Sequence, residues 1–336
     1  MNQNGSANRQ ERDLEMSSTL LLQEDLKKDD EITINGGHGA RKSMRTTLVD
    51  GACIGMNIFS TVILVFLNNW ILKDPQLKKM QITFAMWHFT CTTIILYLAS
   101  RSPFRLFTPI RLPFFQMIPL CTFFAGFLIL GNLSLAYNSI GFYQLAKILT
   151  TPCVALLQYL FLAKSITMPT ILALCSLCIG VALTNSGAAG VTTMGASIAV
   201  AAFTVTAFYQ VWIGKKIRDF NVSSPQLLLN QAPISVLLLA VLVPFFDTMP
   251  KVEKIPRDTM IALFLSGLAA AALNLSQFLI IGRMSALTFN VASNVKTTII
   301  LTYGWVSEGR LLTAQDLLGI VMALGGATAY SQLASK

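Results

Sequence analysis

Charged residues are scarce in this chain. Asp, Glu, Lys and Arg make up 12% of its 336 residues, whereas 54% of the residues are hydrophobic. Soluble domains contain about 25% charged residues. Several charge-free stretches approach or exceed the length of about 20 residues that an α-helix needs to cross a bilayer. The composition therefore excludes a soluble globular domain and predicts an all-α, polytopic protein embedded in a lipid bilayer.

The sequence also lacks the patterns of an enzyme, a metal protein or a nucleic-acid-binding protein. Its two histidines, His38 and His88, are too few and too far apart for a metal site or a catalytic triad. All cysteines lie in apolar stretches, so we expect small buried packing residues, including the CxxC pair Cys175 and Cys178. The net charge of +9 does not require a nucleic-acid partner, because Lys and Arg gather on the cytosolic side of membrane proteins. We expect no enzymatic activity, no cofactor and no nucleic-acid partner.

Residues 1–45 differ in composition from the rest of the chain. They are polar and carry charges of both signs, which is typical of a disordered segment. No apolar stretch long enough for a signal peptide precedes residue 48. We therefore expect a disordered cytosolic tail over 1–45, followed by a transporter domain over 46–334.

Charged residues and turn-forming breaks divide this domain into helices. Breaks are predicted at 138–141 and 185–187, where Asn, Ser and Gly cluster within charge-free stretches. The predicted transmembrane helices cover about 51–72, 80–100, 113–136, 139–162, 168–185, 191–213, 225–246, 259–281, 285–306 and 315–333.

Ten helices suggest two repeats of five, over about 49–186 and 191–334. Aligning Ser139 with Ser285 pairs Gln144 with Asn290. Because five is odd, the two repeats cross the membrane in opposite senses, and inverted repeats of transporters bind substrate at their interface. Lys and Arg are more frequent on the side of the N-terminus, which predicts that both termini are cytosolic.

Two lysines interrupt stretches that contain no acidic residue. Lys147 lies in the fourth predicted helix and Lys296 in the ninth. A lysine at the centre of a lipid-facing helix costs about 3 kcal/mol or more, so each should face a cavity or a partner. Since neither has an acidic partner within the apolar stretches, the simplest partner is an anionic substrate. Lysines with amide and hydroxyl donors suit a phosphate or diphosphate.

Other polar residues also lie within the predicted helices. Amides offer a donor and an acceptor together and can recognise a base or a sugar, and tyrosines can stack on them. The alternative is that these residues hydrogen-bond one helix to another. The candidate binding residues besides the lysines are Tyr143, Gln144, Tyr209, Gln210, Asn230, Gln231, Asn274, Gln277, Asn290, Asn294 and Thr297.

Four stretches carry a resemblance to a known family. They are NLSLAYNSIGFYQLAKILTTP, FYQVWIGKK, SPQLLLNQAPIS and NLSQFLIIGRMSALTFNVASNVKT. Through them, about 48–334 resembles the triose-phosphate/nucleotide-sugar translocators of the drug/metabolite transporter superfamily. Lys296-Thr297 is similar to the motif of the Lys-Thr subgroup, in particular the E3-type solute-carrier nucleotide-sugar transporters.

This resemblance implies a ten-helix inverted-repeat fold and a phosphate-binding pair, Lys147 and Lys296. It also implies antiport of a nucleotide sugar against a nucleoside monophosphate in the Golgi membrane, or alternatively in the ER or another endomembrane. Leu128 and Gly131 stand where plastid phosphate translocators have His and Thr, which argues against triose phosphate. The helix-seven and helix-nine motifs of GDP-mannose carriers are only partly present, so elimination favours a UDP-sugar.

Two alternative functions stay open at this point. The chain could exchange phosphorylated sugars or triose phosphate, or it could be a non-transporting membrane scaffold of the same fold. A homodimer is also left open.

Overall fold

A computed structural model describes residues 44–71, 77–138, 143, 146–163, 166–184, 192–248, 257–307 and 313–334. In these residues the regular secondary structure is α-helical, apart from a short 3-10 helix at Leu77–Lys79, and no strand is present. Residues Met44–Ala334 form one compact unit. The predicted tail over 1–45 falls outside the described residues, except for the backbone of its last two.

The helices in the described part of the chain follow the predicted ones closely. They are α1 Met44–Ile71, α2 Gln81–Ala99, α3 Phe114–Tyr137, α4 Thr150–Leu162, α5 Met168–Thr184, α6 Thr193–Asp219, α7 Ser224–Phe246, α8 Arg257–Arg283, α9 Ala286–Ser307 and α10 Ala314–Ala334. Six of them, α1, α2, α3, α6, α7 and α8, are long and apolar enough to cross a bilayer. Shorter apolar helices cover Ala146–Leu162 and Met168–Leu183. The prediction of an all-helical, multi-pass membrane protein is confirmed.

Helix α1 begins earlier than predicted, and this brings a carboxylate into the helical domain. The apolar stretch starts near residue 51, but the helix starts at Met44 and therefore contains Asp50. Asp50 is buried, and its Oδ1 accepts a hydrogen bond from Nε of Arg283 over 2.9 Å. Asp50 precedes the first predicted apolar stretch, and its ion pair with Arg283 joins the start of α1 to the end of α8.

The fourth predicted helix has a local irregularity at Leu149. The chain is helical at 146–148, makes a turn at Leu149 and is helical again from Thr150. Pro152 explains the irregularity, because its ring has no N–H and would collide with the carbonyl of residue 148 in a continuous α-helix. The irregularity lies two residues after Lys147.

Small residues bring α5 and α10 into backbone contact. A Cβ added to Gly180 would lie 2.3 Å from the backbone nitrogen of Ala323, and one added to Gly326 would lie 2.6 Å from that of Leu177. Close approach over glycine is a common way of packing membrane helices. The other extensive helix contacts join α1 to α8, α3 to α6 and α2 to α7.

The cysteines pack less uniformly than predicted. Cys53, Cys91 and Cys121 are buried, and Cys153 and Cys178 are half-buried. Cys175 is exposed on α5, so the expectation of six buried cysteines is wrong there. The two residues of the CxxC lie almost one helical turn apart on α5, and both are free thiols.

Candidate functional site

A cavity of about 130 Å³ lies between α3, α4, α6 and α9. Polar side chains form much of its wall, and no described residue in that wall is a carboxylate. These polar residues are Ser134, Tyr143, Lys147, Thr150, Thr206, Gln210, Asn290, Ser293 and Asn294.

The cavity extends deep into the bundle along α6. Ala199 and Gln210 both line it, and at a rise of 1.5 Å per residue they are about 16 Å apart. At the inner end, Nδ2 of Asn290 donates a hydrogen bond to Oε1 of Gln210, so a pair of buried amides joins α9 to α6. Asn294, one turn further along α9, donates from Nδ2 to Thr151 Oγ1 over 2.8 Å and so joins α9 to α4.

Lys147 supplies the positive charge of the cavity. Its side chain is exposed, and its Nζ lies 5.5 Å from the centroid of the Tyr143 ring. An ammonium at this distance is attracted to the negative face of an aromatic ring. The cation therefore remains accessible to a solute in the cavity, with one side of it held by Tyr143.

Lys296 points away from this cavity towards α1. Its Nζ donates hydrogen bonds to Asn57 Oδ1 over 3.3 Å and to Thr61 Oγ1 over 3.0 Å. Both acceptors are neutral, so these bonds solvate the ammonium without cancelling its charge. Lys147 is close enough for its charge to act on Lys296. The two lysines thus lie in one electropositive region, but only Lys147 lines the cavity in this conformation.

Tyr209 and Gln231 pair in the core beside the cavity. Nε2 of Gln231 donates to the Tyr209 hydroxyl over 2.9 Å, and both side chains are buried. The Tyr209 ring stacks on Phe127, with a centroid distance of 5.6 Å and an interplanar angle of 4°. Phe127 lines the cavity, whereas the structure does not bring Tyr209 or Gln231 to the cavity wall. Their role in this conformation is to support that wall from behind.

Three further predicted residues lie away from the cavity. Asn230 holds the α2–α3 connection, because its Nδ2 donates to the Ile110 carbonyl over 2.7 Å and its Oδ1 accepts from the Leu112 amide over 3.0 Å. Asn274 donates to Thr92 Oγ1 over 3.1 Å and so joins α8 to α2. Gln277 is half-buried on α8 and is not part of the cavity wall.

A family model matches most of this helical unit. It is the model of the Triose-phosphate Transporter family, and it matches residues 51–331. The chain belongs to the triose-phosphate transporter family. It is 29% identical to UDP-xylose transporter 1 of Arabidopsis thaliana, over 88% of this chain and 87% of the relative. It is 26% identical to UDP-rhamnose/UDP-galactose transporter 2 of the same plant, over 82% of this chain and 80% of the relative.

A solved crystal structure supports the fold of this transporter. It superposes with a TM-score of 0.65 at 14% sequence identity and covers 84% of this chain and 99% of the solved one. At that identity the likeness concerns the fold alone.

The sequence predicts two further site residues in this member of the triose-phosphate transporter family. Gln144 and the side chain of Thr297 lie outside the part of the chain that the structure describes. Asn57 and Thr61, in contrast, contact Lys296 but were not predicted. The signal in the sequence is an amide in the middle of an apolar helix with a hydroxyl one turn later, at a spacing of four residues that puts both on one face.

Proposed function

We propose that this protein exchanges a nucleotide sugar, with a UDP-sugar favoured, for a nucleoside monophosphate across the Golgi or ER membrane. The observation that carries the proposal is the electropositive cavity. Lys147 is exposed in it, Lys296 lies behind it, and no described carboxylate in its wall neutralises them. A phosphate would satisfy both cations through charge-assisted contacts.

The polar wall of the cavity supports a substrate larger than phosphate. Asn290, Asn294 and Gln210 offer amides at the inner end, where a base or a sugar could use both donors and acceptors. Two UDP-sugar transporters of Arabidopsis thaliana, UDP-xylose transporter 1 and UDP-rhamnose/UDP-galactose transporter 2, align over more than four fifths of this chain. Together these observations favour a nucleotide sugar over a bare phosphorylated sugar.

We further propose that ten helices cross the membrane as two inverted repeats, α1–α5 and α6–α10. Exchanging the repeats converts the contact of α1 with α8 into that of α6 with α3, and it maps α2–α7 and α5–α10 onto themselves. The Arg283–Asp50 pair joins the end of α8 to the start of α1. Correspondingly, Asn138 follows α3 and donates to the Gly195 carbonyl near the start of α6 over 2.9 Å. Matching contacts at matching helix ends support the repeat.

Membrane orientation is part of the same proposal, with both termini in the cytosol. In that orientation the cavity residues of α3 and α6, such as Ser134 and Ala199, lie towards the lumenal ends of their helices. The cavity then faces the lumen. Selective permeabilisation of cells that carry tagged termini tests the orientation, and protection of either tag by the endomembrane would contradict it.

The function can be tested with purified protein in liposomes. Nucleoside monophosphates should raise its melting temperature by mass action, uridine monophosphate most, and should exchange with UDP-sugars. Lys147→Ala should reduce exchange by about tenfold or more, because a hydrogen bond to a charged group contributes about 1.5–3 kcal/mol.

Lys215→Ala is the matched control. Lys215 also lies against an aromatic ring, with its Nζ 4.8 Å from the Trp212 centroid, but it is not part of the cavity wall. It should retain exchange. Equal losses in the two variants would contradict the assignment of the cavity. Stabilisation by inorganic phosphate and triose phosphate, without preference for nucleotides, would favour the phosphorylated-sugar alternative, and no response to any of them would favour a scaffold.

A further inference from the structure

The hydrogen bonds around Lys296 have fixed directions. The Ser276 hydroxyl donates to the Leu273 carbonyl over 2.8 Å, so it can only accept from Nδ2 of Asn57, which lies 3.0 Å away. This orients Asn57 with its Oδ1 towards Lys296. The Thr61 hydroxyl donates to the backbone carbonyl of Asn57 over 2.7 Å, which leaves its lone pairs for Lys296. The network therefore presents two acceptors to the ammonium.

We infer that Asn57 is a positioning residue that holds Lys296 against α1 while the carrier is empty, and that the phosphate of a substrate competes with it. The inference rests on the proposed function, because it needs an anionic substrate in the neighbouring cavity. Asn57 touches Lys296 and is buried, and it is not part of the cavity wall. It acts on substrate only through Lys296.

Because the two acceptors on α1 are neutral, a phosphate can displace them from Lys296. An amide and a hydroxyl solvate an ammonium but carry no charge, whereas a phosphate carries at least one negative charge and forms stronger hydrogen bonds. Lys147 is close enough for its charge to act on Lys296, so an anion in the cavity would be attracted by both lysines. A carboxylate at position 57 would instead form an ion pair with Lys296 that substrate could not break as easily.

The holding contact can be tested without any substrate. In the empty carrier, Asn57→Asp should raise the melting temperature, because a carboxylate would face the ammonium at hydrogen-bond distance. In a Lys296→Gln background the same change should lower the melting temperature, because it leaves an unpaired buried carboxylate. The same sign in both backgrounds would contradict the contact.

The competition is tested by two opposite changes at one residue. Asn57→Asp should weaken binding of uridine monophosphate, measured by thermal stabilisation, by about tenfold or more. Asn57→Leu, which keeps a similar volume but removes the acceptor, should bind uridine monophosphate as tightly as the unmodified protein or more tightly. A merely structural role for Asn57 would weaken binding in both variants, and that result would overturn the inference.

The two proposals can fail separately. If the unmodified protein does not respond to uridine monophosphate or to any UDP-sugar, the proposed function is wrong, whatever the variants do. If it responds and Asn57→Asp binds equally well, the competition is wrong while the proposed function stands. The stability measurements in the two backgrounds decide the holding contact in either case.

Discussion

The contact between α5 and α10 allows a sharp test of the packing. Gly326 of α10 faces the backbone of α5, and a Cβ added there would lie 2.6 Å from the Leu177 nitrogen and 2.7 Å from the Ala173 carbonyl oxygen. These atoms cannot rotate away as the end of a side chain could. Gly325, the preceding residue in the same helix, has nothing within 4 Å of an added Cβ.

The difference in stability between Gly326→Ala and Gly325→Ala measures the cost of the clash between the added Cβ and the backbone of α5. Both substitutions replace glycine inside one helix, so both gain about 1 kcal/mol of helix propensity. Only Gly326→Ala also forces the two backbones apart, and overpacking of this kind costs about 1–3 kcal/mol or more. We therefore expect Gly326→Ala to be less stable than Gly325→Ala by about that amount, with Gly325→Ala as stable as the unmodified protein or more stable.

Thermal unfolding of the purified variants in one detergent measures this difference. Gly180→Ala approaches the same interface from α5, where an added Cβ would lie 2.3 Å from the Ala323 nitrogen, and should destabilise similarly. Equal melting temperatures for the Gly325 and Gly326 variants would show that α5 and α10 are not in backbone contact. Destabilisation by Gly325→Ala alone would place the face of α10 that carries Gly325 against a neighbour.

Two further predictions concern buried polar contacts. Asp50→Asn should lower the melting temperature, because Arg283 loses its charged partner. Exchanging the two residues, Asp50→Arg with Arg283→Asp, should restore part of the loss in a double-mutant cycle measured by thermal unfolding. No recovery would mean that the ion pair does not contribute to stability. Gln231→Met should change stability by less than about 1–2 kcal/mol, because the bond lost to Tyr209 is offset by removing Oε1, which has no hydrogen-bond partner among the described residues. Nucleotide preference, measured by stabilisation with a panel of monophosphates, should then be unchanged, and an altered preference would assign base recognition to Gln231.

Helix positions could be predicted well because the bilayer imposes a simple rule. Charge-free stretches near the length of a membrane span place the helix boundaries within a few residues for most of the chain. The failures have local causes that hydropathy does not measure. Asp50 is buried beside a partner that lies 233 residues away, and Pro152 disturbs a helix that hydropathy predicts to be continuous. The first needs tertiary contacts, whereas the second was readable from the sequence.

The two lysines stand out in the sequence because each lies inside an apolar stretch. A charge inside an apolar stretch needs a specific environment, so the sequence predicts that Lys147 and Lys296 each face a cavity or a partner. The structure gives them different surroundings. Lys147 is exposed in the cavity, whereas Lys296 turns to acceptors on α1. That distinction depends on which helix packs against α9, which no local pattern contains.

The amides were harder to assign, because a buried amide can satisfy its donors and acceptor in several ways. Asn230 hydrogen-bonds to the backbone of a connecting segment, and Gln231 to a tyrosine in the core. Asn290 hydrogen-bonds to Gln210 at the inner end of the cavity. Asn57 uses its Nδ2 on Ser276 and thereby aims its oxygen at Lys296. In the sequence all four are amides within or at the edge of apolar stretches, and nothing local separates their roles. The partner determines the role, and partners are set by the packing of helices that are distant along the chain. An amide within reach of an isolated lysine therefore carries more functional information than an amide pair such as Asn230 and Gln231.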